Sequence, residues 1–161
     1  EALLLQYPGS SIVDDAQYYL GMCKFQREEF ILAAFEFSKL IKNMPASEFV
    51  ANTQFMLAES YFELSPDYTL DTIAGIYDKF DYYTASLKYY DAVVNIYHDT
   101  QYAPLALYRK IKLLMDRERE DEALKEMRKF ITMYPEDKNF TEIEELKNSL
   151  EAKLKGGFSS N

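Results

Sequence analysis

The stretches Tyr7-Pro8-Gly9-Ser10, Met44-Pro45-Ala46-Ser47, Tyr97-His98-Asp99-Thr100 and Tyr134-Pro135-Glu136-Asp137 decide the fold. Each is a bulky apolar residue, then Pro (His in the third copy), any residue, then Ser, Thr or Asp. Proline has no amide donor and stops a helix, and the polar residue two positions later can accept a hydrogen bond from an unpaired amide opening the next helix. The pattern therefore marks helix-to-helix corners. Successive corners are 37, 53 and 37 residues apart, so two intervals agree and the third carries 16 extra residues.

Ahead of the corners, Ala33, Phe37, Leu40, Ile41 and Met44 match Ser86, Tyr90, Val93, Val94 and Tyr97, then Ala123, Met127, Phe130, Ile131 and Tyr134. These positions form one face of an α-helix, with the smallest residue where two helices cross closely. After the corners, Ala16, Tyr18, Leu20, Gly21 and Phe25 match Thr53, Phe55, Leu57, Ala58 and Phe62. The chain thus alternates A helices after corners with B helices before them. Leu20-Gly21, Ala33, Phe37 and Pro45 fall at the offsets of the tetratricopeptide repeat, whose period is about 34 residues; a three-residue-longer corner accounts for the difference.

Helices are expected near 1–7, 12–26, 29–44, 48–64, 70–80, 82–97, 101–116, 119–134 and 139–155, with no strand periodicity. The expected fold is all-α: a tetratricopeptide-repeat α-solenoid of antiparallel hairpins in a right-handed superhelix. One solenoid spans 1–161, and 139–155 is its C-terminal cap, with Ile143, Leu146, Leu150 and Leu154 on one stripe, Glu151 and Lys155 as an i,i+4 pair and Gly156-Gly157 as a stop. The surplus lies around Ser65–Phe80. One extra helix there would make the flanking helices parallel and break the alternation, so residues are expected to be missing between about Asp71 and Ala74. The start at Glu1, inside an apolar-periodic stretch, also suggests an upstream segment.

Of 161 residues, 48% are hydrophobic, enough for a substantial core, and 5 Gly and 5 Pro suit long helices. The net charge of −9 argues against nucleic acid and acidic membrane surfaces as partners. Leu3-Leu4-Leu5 is cut off at Gln6, and no stretch approaches the length of a membrane span. Cys23 is the single cysteine, excluding an intramolecular disulfide and multi-cysteine metal sites, and mid-helix it reads as a small buried hydrophobe. The only histidine, His98, holds a corner position. Asp14-Asp15 and the acids of 118–122, interleaved with Arg117 and Arg119, read as solvated helix starts. Asp67, Asp71 and Asp78 lack the spacing of a calcium loop, and no phosphate-cradling glycine motif or nucleophile elbow occurs. Asn139-Phe140-Thr141 fits a glycosylation acceptor, a triplet common by chance. No catalytic, cofactor or metal site is expected, and the chain reads as non-enzymatic.

The clue to function is 14 Tyr beside 11 Phe, since interfaces favour tyrosine. In a tetratricopeptide array the A helices line a concave groove, and the groove offsets fall on Asp15, Tyr18, Met22 and Phe25, then Asn52, Phe55, Glu59 and Phe62. An aromatic groove edged by acids suits an extended or helical peptide segment. Phe25 and Phe62 fit equally well between adjacent repeats, whereas Tyr18 and Phe55 lean towards the groove.

Three stretches carry a family resemblance: Asp15-Ala16-Gln17-Tyr18-Tyr19-Leu20-Gly21 after the first corner, Tyr97-His98-Asp99-Thr100-Gln101-Tyr102, and above all Glu59-Ser60-Tyr61-Phe62-Glu63-Leu64-Ser65-Pro66-Asp67-Tyr68-Thr69-Leu70-Asp71. Over most of its length the chain resembles the BamD (ComL, YfiO) family, tetratricopeptide lipoproteins of the bacterial outer-membrane β-barrel assembly machinery. Its tyrosine content resembles members from Bacteroidetes-type bacteria. The resemblance implies a non-catalytic scaffold at the periplasmic face of the outer membrane, held there by an N-terminal lipid anchor that this chain does not contain. The implied partners are the periplasmic POTRA domains of a BamA-like barrel component, the other lipoproteins of the complex, and segments of unfolded outer-membrane proteins. Substrate would meet the N-terminal repeats, and the barrel component would dock on residues 101–155. The family's pattern departs from this chain in having a further B helix and A helix after the Asp71 region and Pro at the position of His98. The alternative expectation is another periplasmic tetratricopeptide adaptor, one coordinating envelope or cell-wall synthesis.

Overall fold

The computed structural model describes residues 12–65 and 82–157. Among these residues there are seven α-helices and no strands: α1 (Val13–Gln26), α2 (Phe30–Asn43), α3 (Val50–Leu64), α4 (Tyr82–Ile96), α5 (Tyr102–Asp116), α6 (Glu120–Met133) and α7 (Phe140–Gly157). They agree with the sequence expectation to within two residues at each end. The expected helices at 1–7 and 70–80, the Tyr7–Ser10 corner, Asp67, Asp71, Asp78 and the Asp71–Ala74 junction lie outside the described residues.

The chain divides into two compact units, Glu1–Tyr102 and Ala103–Asn161. In the first, packing is sequential: α1 on α2, α2 on α3, α3 on α4. In the second, α6 packs on α7, and the Lys110–Glu126 ion pair (3.1 Å) joins α5 to α6. The helices bracketing the irregular interval lie directly against each other. Tyr61, near the end of α3, stacks on Tyr82 at the start of α4 and on Tyr89, whereas the earlier Phe55 lies against Tyr90. That order makes α3 and α4 antiparallel, the relation the A/B alternation requires.

The aligned faces form the cores. Ala33, Phe37 and Leu40 of α2, Ser86, Tyr90 and Val93 of α4, and Ala123, Met127 and Phe130 of α6 are all 0% exposed. Nine residues aligned only by distance to a corner are thus fully buried, so the corner fixes the helical phase. Gly21 of α1 is where the crossing is tightest, against the ring of Phe37.

The Met44 and Tyr134 corners are each two successive tight turns. Ser47 N–H bonds the Met44 carbonyl and Val50 N–H the Ser47 carbonyl; Asp137 and Phe140 repeat these bonds to Tyr134 and Asp137. The polar residue closes the turn rather than capping the next helix: Ser47 Oγ accepts from Phe49 N–H (3.2 Å) and Asp137 Oδ1 from Asn139 N–H (2.8 Å), each one residue before the helix begins, and α3 has no side-chain cap. The third corner differs, because Thr100 Oγ1 turns back and donates to the Tyr97 carbonyl (2.7 Å).

The A-to-B turns form a second repeated device. Glu29 N–H reaches the Lys24 carbonyl and Glu28 N–H that of Phe25; Arg119 and Glu118 repeat this with Leu114 and Met115. These paired bonds are the Schellman closure, which requires a left-handed residue, here Glu28 (φ 60°) and Glu118 (φ 56°).

Two details differ from expectation. Cys23 is exposed rather than buried, because it shares the outward stripe of α1 with Ile12, Tyr19 and Gln26. Glu151 pairs with Arg128 on α6 (2.8 Å) rather than with Lys155, so this carboxylate ties α7 to its neighbour. The α7 stripe is otherwise as expected, with Ile143 and Leu150 buried and Leu146 and Leu154 half-buried. Gly156 and Gly157 form its last residues rather than following it.

Candidate partner-binding face

All eight groove candidates fall on α1 and α3. The register places Asp15, Tyr18, Met22 and Phe25 at i, i+3, i+7 and i+10 of one helix, and their counterparts on the other. Tyr18, Phe55 and Glu59 are buried, at 7%, 6% and 7% exposed, while Asp15, Met22, Phe25, Asn52 and Phe62 are half-buried. Tyr18 stacks on Phe49 (4.8 Å between centroids, 16°), lies 6.3 Å from Phe37, and its hydroxyl accepts a hydrogen bond from Asn52 Nδ2 (2.5 Å). Two of the eight candidates, one from each A helix, are thereby joined directly. Met22 and Phe25 pack against the same core, and Phe25 meets Phe30 edge-on at 5.2 Å. Phe55 lies between Tyr90 (6.1 Å) and Tyr102 (6.2 Å), and Glu59 accepts a hydrogen bond from the Tyr90 hydroxyl.

Burial raises the Tyr18 phenol above its ordinary value; the nearby Tyr102 and Tyr19 rings add to this, and the Asn52 bond opposes it. At neutral pH the hydroxyl therefore stays protonated, free to donate while accepting from Asn52.

The exposed aromatic on this face is a residue the groove offsets miss. Tyr19 is 59% exposed, 5.3 Å edge-on from Tyr18 and 6.3 Å from Phe49. It lies one turn after Asp15, and the adjacent Tyr18-Tyr19 pair was its sequence signal: two aromatics 100° apart on a helix cannot both point into one core. Phe49 and Tyr102 were likewise missed, because both sit at helix starts, just before or at the first position of α3 and α5.

The second unit repeats the A-helix link. Tyr108 donates to the Glu142 carboxylate (3.1 and 3.2 Å), spanning the same 34 residues as Tyr18 and Asn52, and Lys112 Nζ reaches Glu142 at 3.0 Å. The hydrogen bond to Glu142 raises the Lys112 ammonium above its ordinary value.

At its corner His98 is exposed. No group of His, Cys, Asp and Glu among the described residues could hold a metal ion, and none of the described helices is long and apolar enough to cross a membrane. What Tyr19, Phe49, Asp15 and Asn52 can do together is bind: an apolar ring face beside a carboxylate and an amide suits a protein segment. Compared with known proteins, the chain matches no family model and no curated protein.

Proposed function

We propose that the chain is a non-catalytic scaffold of tetratricopeptide-type repeats in the outer-membrane β-barrel assembly machinery. In this reading it binds the periplasmic domains of the barrel-forming component and segments of unfolded outer-membrane proteins, at the periplasmic face of the outer membrane. The observation that carries the binding part is the exposed Tyr19 ring beside Phe49 on an A-helix face, in a chain whose helices repeat one register. The assignment to this machinery is supported by the resemblance of Glu59–Asp71 to the BamD family.

The test is affinity purification of the full-length protein from native outer membranes, with partners identified after gentle detergent extraction. Recovery of the barrel-forming component, reduced at least several-fold by Tyr19→Ala with the fold intact, is the expected result. Its absence under those conditions overturns the proposal.

A further inference from the structure

Five of the seven large apolar side chains that stand exposed among the described residues belong to the first hairpin, and three of these, Ile31, Leu32 and Phe35, share the outer face of α2 at 62%, 47% and 56% exposure. The repeat register shows how unusual this is. The same positions hold Thr84, Ala85 and Lys88 in α4, and Asp121, Glu122 and Lys125 in α6. The fold therefore accepts polar residues here, and only α2 carries a clustered apolar patch, the kind of surface that marks an interaction site.

We infer that this face of α2 pairs with the same face of a second copy of the chain. The charges at the two ends of this face are self-complementary. Lys42, in the last turn of α2, lies two helical turns beyond Phe35 along one line, and Glu28 lies in the left-handed turn that leads into the helix. Both are exposed, and neither forms an ion pair among the described residues. Two antiparallel α2 helices related by a two-fold axis beside Phe35 place Phe35 against Phe35, Ile31 opposite the aliphatic stem of the second copy's Lys39, and the turn that carries Glu28 beside the helix end that carries the second copy's Lys42. An isologous contact makes each charge pair twice. A parallel pairing would set Glu28 on Glu28 and Lys42 on Lys42, so the charges also select the direction. Lys39 already holds its ammonium over the Phe35 ring at 4.3 Å and on Glu36 at 3.0 Å, leaving its methylenes along the patch.

A single helix face falls short of the roughly 800 Å² per partner typical of a stable complex, so the association is weak and reversible, with a Kd of about 10–100 µM. Density of the protein on a membrane or in an assembly would then decide whether it pairs.

Sedimentation velocity of the 161-residue chain from 1 to 300 µM tests this. The expected result is a monomer at the low end and a reversible dimer at the high end. Ile31→Asp with Leu32→Glu and Phe35→Lys, which gives α2 the residues of α6 at that register, is expected to weaken pairing at least tenfold while helix content by circular dichroism stays unchanged. Glu28→Lys and Lys42→Glu should each weaken it several-fold, and the double exchange should restore it. A wild type that is monomeric throughout, a patch variant that pairs as well as wild type, or a double exchange no better than either single change overturns the inference.

Discussion

Gly21 of α1 is pressed against the ring of Phe37 on α2: a Cβ at position 21 would lie 2.5 Å from Cε1 and 2.6 Å from Cδ1. Phe37 is 0% exposed and has nowhere to retreat. In an exposed helix, Gly to Ala gains about 1 kcal/mol. Here overpacking reverses the sign, and Gly21→Ala is expected to destabilise by roughly 1–3 kcal/mol, read from urea denaturation. Adding Phe37→Leu to Gly21→Ala should recover part of the loss. A Gly21→Ala variant more stable than wild type would mean that the crossing is looser than described.

Glu28 and Glu118 hold left-handed backbone that glycine adopts without steric cost. Glu28→Gly and Glu118→Gly are each expected to raise stability by about 0.5–1 kcal/mol, the relief at φ exceeding glycine's larger entropy loss on folding. Thermal melts at 1 µM, below the range of self-association, measure this as an increase of a few degrees.

The Lys110–Glu126 pair is largely buried, its side chains 10% and 13% exposed, and Glu126 Oε2 has no hydrogen-bond partner. Lys110→Met leaves the carboxylate without that cation and is expected to cost about 3 kcal/mol. Adding Glu126→Leu should return most of it. The comparison of single and double variants by denaturant titration separates the cost of an orphaned charge from the worth of the pair.

Burial raises the Tyr18, Tyr61 and Tyr134 phenols above their ordinary value of 10.0; Tyr18 is raised further by Tyr102, and Tyr61 by Tyr89 and Tyr82. The folded chain thus holds these protons more tightly than the unfolded one. The resulting stability is fully present below pH 10.0 and is lost as pH rises through the raised values. Alkaline unfolding followed by tyrosinate absorbance should begin above that pH. Tyr134→Phe is the sharpest probe, because the Tyr134 hydroxyl is buried with no hydrogen-bond partner. Its removal is expected to leave neutral-pH stability equal or improved and to weaken the alkaline dependence. A clear loss of neutral-pH stability would show a partner for that hydroxyl.

The corner motif made the cores legible. Proline and the polar turn residue mark where one helix stops and the next begins, and the 3.6-residue period then settles which side chains turn inward, as Phe37, Tyr90 and Met127 do at one shared position. Exposure of single residues was harder to read, because it depends on neighbours from other parts of the chain. Cys23 is exposed, although Ser60, at the same register of α3, is fully buried. Tyr18 and Tyr19 are indistinguishable by residue type, and only the third helix face decides that one is buried and the other open. The Glu28 and Glu118 turns were hidden because glutamate is no signal for left-handed backbone; the shared Arg-Glu pairs at 27–28 and 117–118 were the only trace.

The Met44–Val50 and Tyr134–Phe140 corners are closed by the same backbone turn bonds and the same side-chain bond to the amide two residues on. They are therefore interchangeable joints, at which a hairpin can be spliced in or out without disturbing the phase of the helices on either side. In such a chain, length varies by whole hairpins, and a duplication whose ends fall in two corners yields a foldable product at once. Recombination can then change how far the array reaches while each joint keeps its own geometry.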